Sequence, residues 1–227
     1  MLVAAALTVS PASASVTRPP AAEPQKLVIL GASYAASWGT PPLPSLKVVN
    51  KGVGGEQTGG MRARFQRDVV AERPAIVLIW GHINNITQSD LLNLTPAGIE
   101  SVKAGARADY RAMLEQARAA GIEVVLATEI PMAEAVSAVD HLRALLGRLR
   151  GKQSYASQVN AQVRDLNVFV RELAAREQLQ LLDFERVFAP DGGARKPEYS
   201  SEDRSHVSTA GYRALTDYAA AELRKRR

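Results

Sequence analysis

From Leu27 onward, short apolar runs bounded by turn residues alternate with longer stretches of helical period, and this alternation narrows the possible folds most. Strands buried on both faces read as continuous apolar runs, and parallel strands need long, usually helical, crossovers. The pattern predicts an α/β fold: a parallel sheet covered by helices. Strands are expected at residues 27–30, 47–50, 76–80, 123–128 and 180–184, enough for one five-stranded sheet. Helices are expected at about residues 59–72, 95–120, 152–178 and 208–225, where Ala, Leu, Arg and Glu surround spaced apolar positions. Ser208 stands where a helix N-cap belongs, and Gly121 where a C-terminal glycine belongs. The stretch 131–151, with an amphipathic pattern at 139–149, is either an insertion over the strand ends or an extension of the next helix.

A chain of 227 residues, 46% of them apolar, is long enough for one domain with a substantial core, here residues 25–227. Met1 to Ala14 forms an apolar run ending in Ala12-Ser13-Ala14, the small-x-small pattern of a cleavable signal peptide, too short to span a membrane. Residues 1–24 are thus expected to be a signal peptide and flexible N-terminus, and the protein to be exported. If the segment is no signal, the expected location is cytoplasmic. The formal charge of +5 is scattered among acidic residues, and aromatics make up only 5%, so nucleic-acid binding is not expected. The absence of cysteine excludes disulfides, thiolate metal sites and cysteine nucleophiles. Three histidines, at 82, 141 and 206, offer no close metal-binding pair, so a dedicated metal site is not expected.

The chemistry-bearing residues fall at strand ends. Ser33, in Gly31-Ala32-Ser33, directly follows the first strand; such a serine is either a helix N-cap or a nucleophile in the crevice at the sheet's carboxyl edge. Asp203-Arg204-Ser205-His206 precedes the last helix. A serine hydroxyl needs a base, and the base needs a partner that fixes its tautomer; His206 and Asp203 are suited to these roles. The glycine-rich loop 50–58 and the loop 81–85 offer backbone N–H groups and the Asn84 amide for an oxyanion. The residue two after Ser33 is Ala35, which does not fit the G-x-S-x-G elbow of the α/β-hydrolases.

Taken together, these blocks resemble the SGNH or GDSL-type hydrolases, whose pattern runs G-D-S after the first strand, a glycine loop after the second, G-x-N-D after the third and D-x-x-H before the last helix. The resemblance spans residues 27–212. It implies a flavodoxin-like three-layer α/β/α sandwich, with Ser33 as nucleophile, His206 as base and Asp203 as its orienter. It also implies an oxyanion hole made of the Ser33 backbone N–H, Gly55 and Asn84, and no cofactor. The chain departs from the pattern at Ala32 and Asn85, where the family carries aspartates.

The expected activity is hydrolysis of short-chain, acetyl-type esters through an acyl-enzyme, with a small-molecule or carbohydrate ester as substrate. Cleavage of longer acyl chains or thioesters, acyl transfer to a carbohydrate, and ligand binding without catalysis are the rival readings. His82, Tyr34 and Trp38 are candidates for substrate contact, each with packing or solvation as the alternative. His141 is expected on the surface. Glu129, at the end of the fourth strand, either approaches the crevice or meets a helix N-terminus or an arginine.

Overall fold

The structure is a computed structural model that describes residues 23–134, 154–202 and 206–225. The expected leader, the pattern at 139–149 with His141, and Asp203 lie outside the described residues.

Five parallel strands form one sheet in the order β2-β1-β3-β4-β5: β1 (Gln25–Gly31), β2 (Leu46–Gly52), β3 (Ile76–Trp80), β4 (Glu123–Ala127) and β5 (Gln180–Leu182). This is the doubly wound order of the flavodoxin type, as the family resemblance implies, on the parallel sheet that the sequence pattern predicts. Alternate residues of the central strands feed two cores, because successive side chains in a strand point to opposite faces. Leu27, Ile29, Leu78, Trp80 and Val125 pack with Trp38, Phe184, Leu215 and Ala219. Val28, Leu30, Val77, Ile79 and Leu126 pack on the other face with Met61, Phe65, Tyr110, Met113 and Val170.

The long helices begin where local capping chemistry places them. In α5 (Pro96–Ala119) the Thr95 side chain accepts from the Gly98 N–H and proline occupies the first turn; in α6 (Tyr155–Arg176) Ser154 accepts from Ser157. Gly121 follows α5 with φ +66°, in the left-handed region that favours glycine.

The predicted helix 59–72 is instead α2 (Thr58–Ala63), α3 (Phe65–Asp68) and a 3-10 turn at Val70–Glu72. The break falls at Arg64, with φ −97° and ψ 4°, whose side chain turns inward. β5 is shorter than predicted because the Asp183 side chain accepts from the Arg186 N–H and starts α7 (Phe184–Phe188). Two further short helices, α1 (Ser33–Trp38) and α4 (Ile83–Thr87), follow β1 and β3. The last helix, α8 (Thr209–Leu223), is capped by Ser208, which accepts from the Gly211 N–H.

Two glycines let α1 sit tightly on the strand ends. A Cβ at Gly52 would lie 2.2 Å from the Ala36 nitrogen, and one at Gly31 would lie 2.3 Å from the Trp80 carbonyl oxygen. Only a residue without a side chain permits these backbone approaches, and they fix where Ser33 emerges.

Candidate active site

In open parallel sheets, ligands bind beyond the carboxyl ends of the strands. There the connections after β1, β2, β3 and β4 and the segment before α8 enclose a cleft of about 380 Å³. Ser33, Gly55, Asn84 and His206 all line it, although they are drawn from four separate segments. Tyr34, Ile83, Thr87 and Met132 supply much of the remaining wall.

Ser33 is the first residue of α1; the N-cap position belongs to Ala32, which is buried and makes no side-chain cap. The capping alternative therefore does not describe Ser33. His206 is exposed to the cleft. Its carbonyl oxygen accepts from Arg195 Nη1 at 2.5 Å, from the Ser201 N–H at 3.1 Å and from Ser201 Oγ at 3.0 Å. An antiparallel bridge joins Ser200 and Val207 on either side of this segment.

The glycine loop and the Asn84 loop hold each other. Gly55 has φ +73°, where L side chains are strained, and its carbonyl accepts from Gln88 Nε2 at 2.6 Å. Asn84 Nδ2 donates to the Glu56 carbonyl at 3.0 Å, which uses one of the two N–H groups of the amide. The Glu56 side chain in turn accepts from Arg64 Nε at 2.8 Å and Nη2 at 2.5 Å. Arg64 is buried; it also donates to Asp68 at 2.9 Å and to the Gly31 carbonyl at 3.3 Å, joining the end of β1 to the glycine loop. Hydrogen bonds from Arg67 and then Arg64 hold the Asp68 carboxyl well below the usual carboxylate range.

Where the family pattern has a second aspartate, Asn85 performs two tasks. Its Oδ1 accepts from the Thr58 N–H at the start of α2 (3.1 Å), and its Nδ2 donates to Thr58 Oγ1 (3.0 Å). The Thr58 hydroxyl donates onward to Asp109 at 2.7 Å. No comparable side-chain role exists at Ala32.

Glu129 serves the Asn84 loop from beneath. Its Oε2 accepts from the His82 N–H at 2.9 Å and the Ile83 N–H at 3.3 Å, and Oε1 accepts from the Ile130 N–H at 3.1 Å. Burial pushes this carboxyl up, while those three N–H groups and the Arg195 charge pull it down. Of the alternatives open for Glu129 in the sequence, the helix N-terminus describes its contacts.

Two candidate substrate contacts do not line the cleft. His82 is buried, with Nδ1 3.2 Å from the Tyr110 hydroxyl, which itself donates to the Gly81 carbonyl; burial pushes the imidazole down to about 4. Trp38 is packed edge-on against Trp80 and Phe184, and its indole N–H donates to Thr216 Oγ1 at 3.0 Å. Both side chains complete hydrophobic layers that sequence adjacency to the site does not reveal. Tyr34 does line the cleft, and its hydroxyl accepts from Arg195 Nη2. The supporting residues Arg64, Arg195 and Tyr212 carry no distinguishing mark in the sequence. No cluster of three His, Asp or Glu that could hold a metal ion occurs among the described residues.

A doubly wound sheet that gathers serine, glycine, asparagine and histidine at its carboxyl edge defines an α/β protein with a ligand cleft at the strand ends. The chain belongs to the GDSL-like lipase/acylhydrolase family, whose model matches residues 28–214. Its fold is similar to that of a GDSL-like lipase from Bacteroides thetaiotaomicron, with a TM-score of 0.65 and 19% identity over 90% of this chain and 92% of that one. A lipase/acylhydrolase from Enterococcus faecalis gives 0.60 and 20%, covering 89% and 96%. An acetylxylan esterase from Geobacillus stearothermophilus gives 0.61 and 17%, covering 88% and 94%. No curated protein sequence matches the chain.

Proposed function

We propose that the chain is an exported serine esterase acting on short acyl esters of small molecules or carbohydrates. The observation that carries this reading is the convergence of Ser33, Gly55, Asn84 and His206 on one cleft. In the proposed reaction, Ser33 Oγ attacks the ester carbonyl carbon while the His206 imidazole takes the hydroxyl proton, with Asp203 as its orienter. The oxyanion is met by the N–H groups of Ser33 and Gly55 and by the second N–H of the Asn84 amide. Collapse breaks the bond to the alkoxide, which leaves with the proton from His206. Water then attacks the acyl-enzyme with His206 as base and releases the acid and free Ser33.

The preference for short acyl groups draws on the cleft volume of about 380 Å³, at the small end for ligand sites, and on the walls set by Ile83, Thr87 and Met132. The presence of acetylxylan esterases among proteins of similar fold is consistent with it. Export follows from the reading of residues 1–14 as a leader.

The test is hydrolysis of p-nitrophenyl esters of increasing chain length, with labelling by a fluorophosphonate. The wild type should be fastest on acetate, and Ser33→Ala should lose at least about 10⁴-fold in kcat, as removal of a triad nucleophile does. Ser33→Ala should also lose the label. Turnover that rises toward long chains would favour a lipase or thioesterase, and a wild type that neither labels nor turns over would favour a binding protein.

A further inference from the structure

An arginine inside a protein core is costly unless each of its donors is matched, and Arg195 is only 2% exposed. Its planar fork presents five N–H groups in fixed directions. Nε donates to the Pro131 carbonyl at 3.0 Å, Nη1 to the His206 carbonyl at 2.5 Å, and Nη2 to the Tyr34 hydroxyl. The guanidinium also lies over the Tyr34 ring, 5.1 Å from its centre. These three acceptors belong to three different segments of the cleft. Tyr34 adjoins Ser33, Pro131 adjoins Met132 on the cleft wall, and His206 is the proposed base.

Resting on the esterase reading above, we infer that Arg195 is a positioning residue that sets His206 relative to Ser33. Ser201 also holds the His206 carbonyl, but it belongs to the same bridged segment, closed by Ser200 and Val207. Ser201 therefore shapes that segment internally. Arg195 instead links it to α1 and to the strand-end loop after β4. A second tie to α1, from the Tyr212 hydroxyl to the Tyr34 carbonyl at 3.0 Å, comes from α8 and survives loss of Arg195. The fold therefore keeps a connection when the guanidinium is removed, while the His206 carbonyl loses its bond to Arg195. Displacement of a reacting group by about 1 Å can cost on the order of 10²-fold in rate.

The inference is tested with Arg195→Met, Arg195→Lys and Tyr34→Phe, using p-nitrophenyl acetate kinetics, fluorophosphonate inactivation rates and thermal melts. Arg195→Met should melt cooperatively, lose about 10- to 100-fold in kcat and in inactivation rate, and keep KM within about twofold. Arg195→Lys keeps the charge but reaches fewer of the three acceptors, and should recover only part of that loss. Tyr34→Phe deletes one acceptor without opening a large cavity. It should lower kcat severalfold at nearly constant KM, and by less than that in an Arg195→Met background. Should Arg195→Met fail to fold, the other two variants decide by the same kcat criterion. A folded Arg195 variant with wild-type kcat, or a Tyr34→Phe protein with unchanged kcat, overturns the inference. Ser33→Ala measured alongside keeps the two readings apart: an active Ser33→Ala protein sinks the esterase mechanism, whereas an inactive one beside a fully active Arg195→Met protein sinks only the role of Arg195.

Discussion

Ser33 and His82, which follow the adjacent strands β1 and β3 at the same edge of the sheet, show how differently side chains there are used. Ser33 opens α1 at the cleft, held there by the close approach of Gly31 to the Trp80 carbonyl. His82, also on a loop at the carboxyl edge, is drawn into the core beside Tyr110. Its burial has a consequence for pH. In the unfolded chain the imidazole takes up a proton near its ordinary 6.5, whereas in the fold it stays neutral down to about 4. The associated stability is complete above 6.5 and is lost as pH falls toward 4, by about 3 kcal/mol at most. His82→Asn keeps a donor near the Tyr110 hydroxyl but cannot titrate. Urea unfolding at pH 7 and pH 4 should show that the variant loses about 3 kcal/mol less than the wild type over this interval. Equal losses in the two proteins would show that His82 does not make this contribution.

Short elements decide the shape of the site, and their control lies in side-chain partners rather than periodicity. α1 and α4, of six and five residues, are too short to display a helical apolar stripe, and neither was legible in the sequence. The start of α2 is held by Asn85, which replaces a carboxylate of the family pattern with an amide that both accepts and donates. Asn85→Asp would remove the donor to Thr58 and set a second carboxylate beside the Thr58 hydroxyl, which already serves Asp109. A negative charge at a helix start is worth about 0.3–1 kcal/mol, less than the cost of about 1–3 kcal/mol for leaving a buried group unmatched. Asn85→Asp should therefore destabilise by about 1–2 kcal/mol, and adding Asp109→Asn should recover part of that loss. Urea melts of the wild type and the two variants check both statements; a single Asn85→Asp protein as stable as the wild type would contradict them.

At the scale of the whole molecule, the cleft joins residue 33 to residue 206 because the first and last helices share one face of the sheet. Leu215, Ala219 and Leu223 of α8 pack with Leu27, Ile29 and Trp38, and Tyr212 and Thr216 bond to α1. Each buried leucine stabilises by about 1.5–3 kcal/mol, so removal of α8 would consume much of a typical domain stability of about 5–15 kcal/mol. A chain ending at Val207 should lose cooperative thermal unfolding and fluorophosphonate labelling together. A truncated chain that still melts cooperatively would show that the sheet stands without its last helix. Strand positions, the long helices and the Ser208 cap were readable from sequence alone, because apolar periodicity and capping depend on residues a few positions apart. Ser33, Gly55 and Asn84 stood out as candidates too, as types in the segments that follow strands, and His206 as a histidine just before the last helix. Only the tertiary structure sent His82 and Trp38 inward and brought Arg195 into contact with Tyr34 and His206. Those outcomes depend on which distant side chains meet once the layers close, and on the need to match every buried donor.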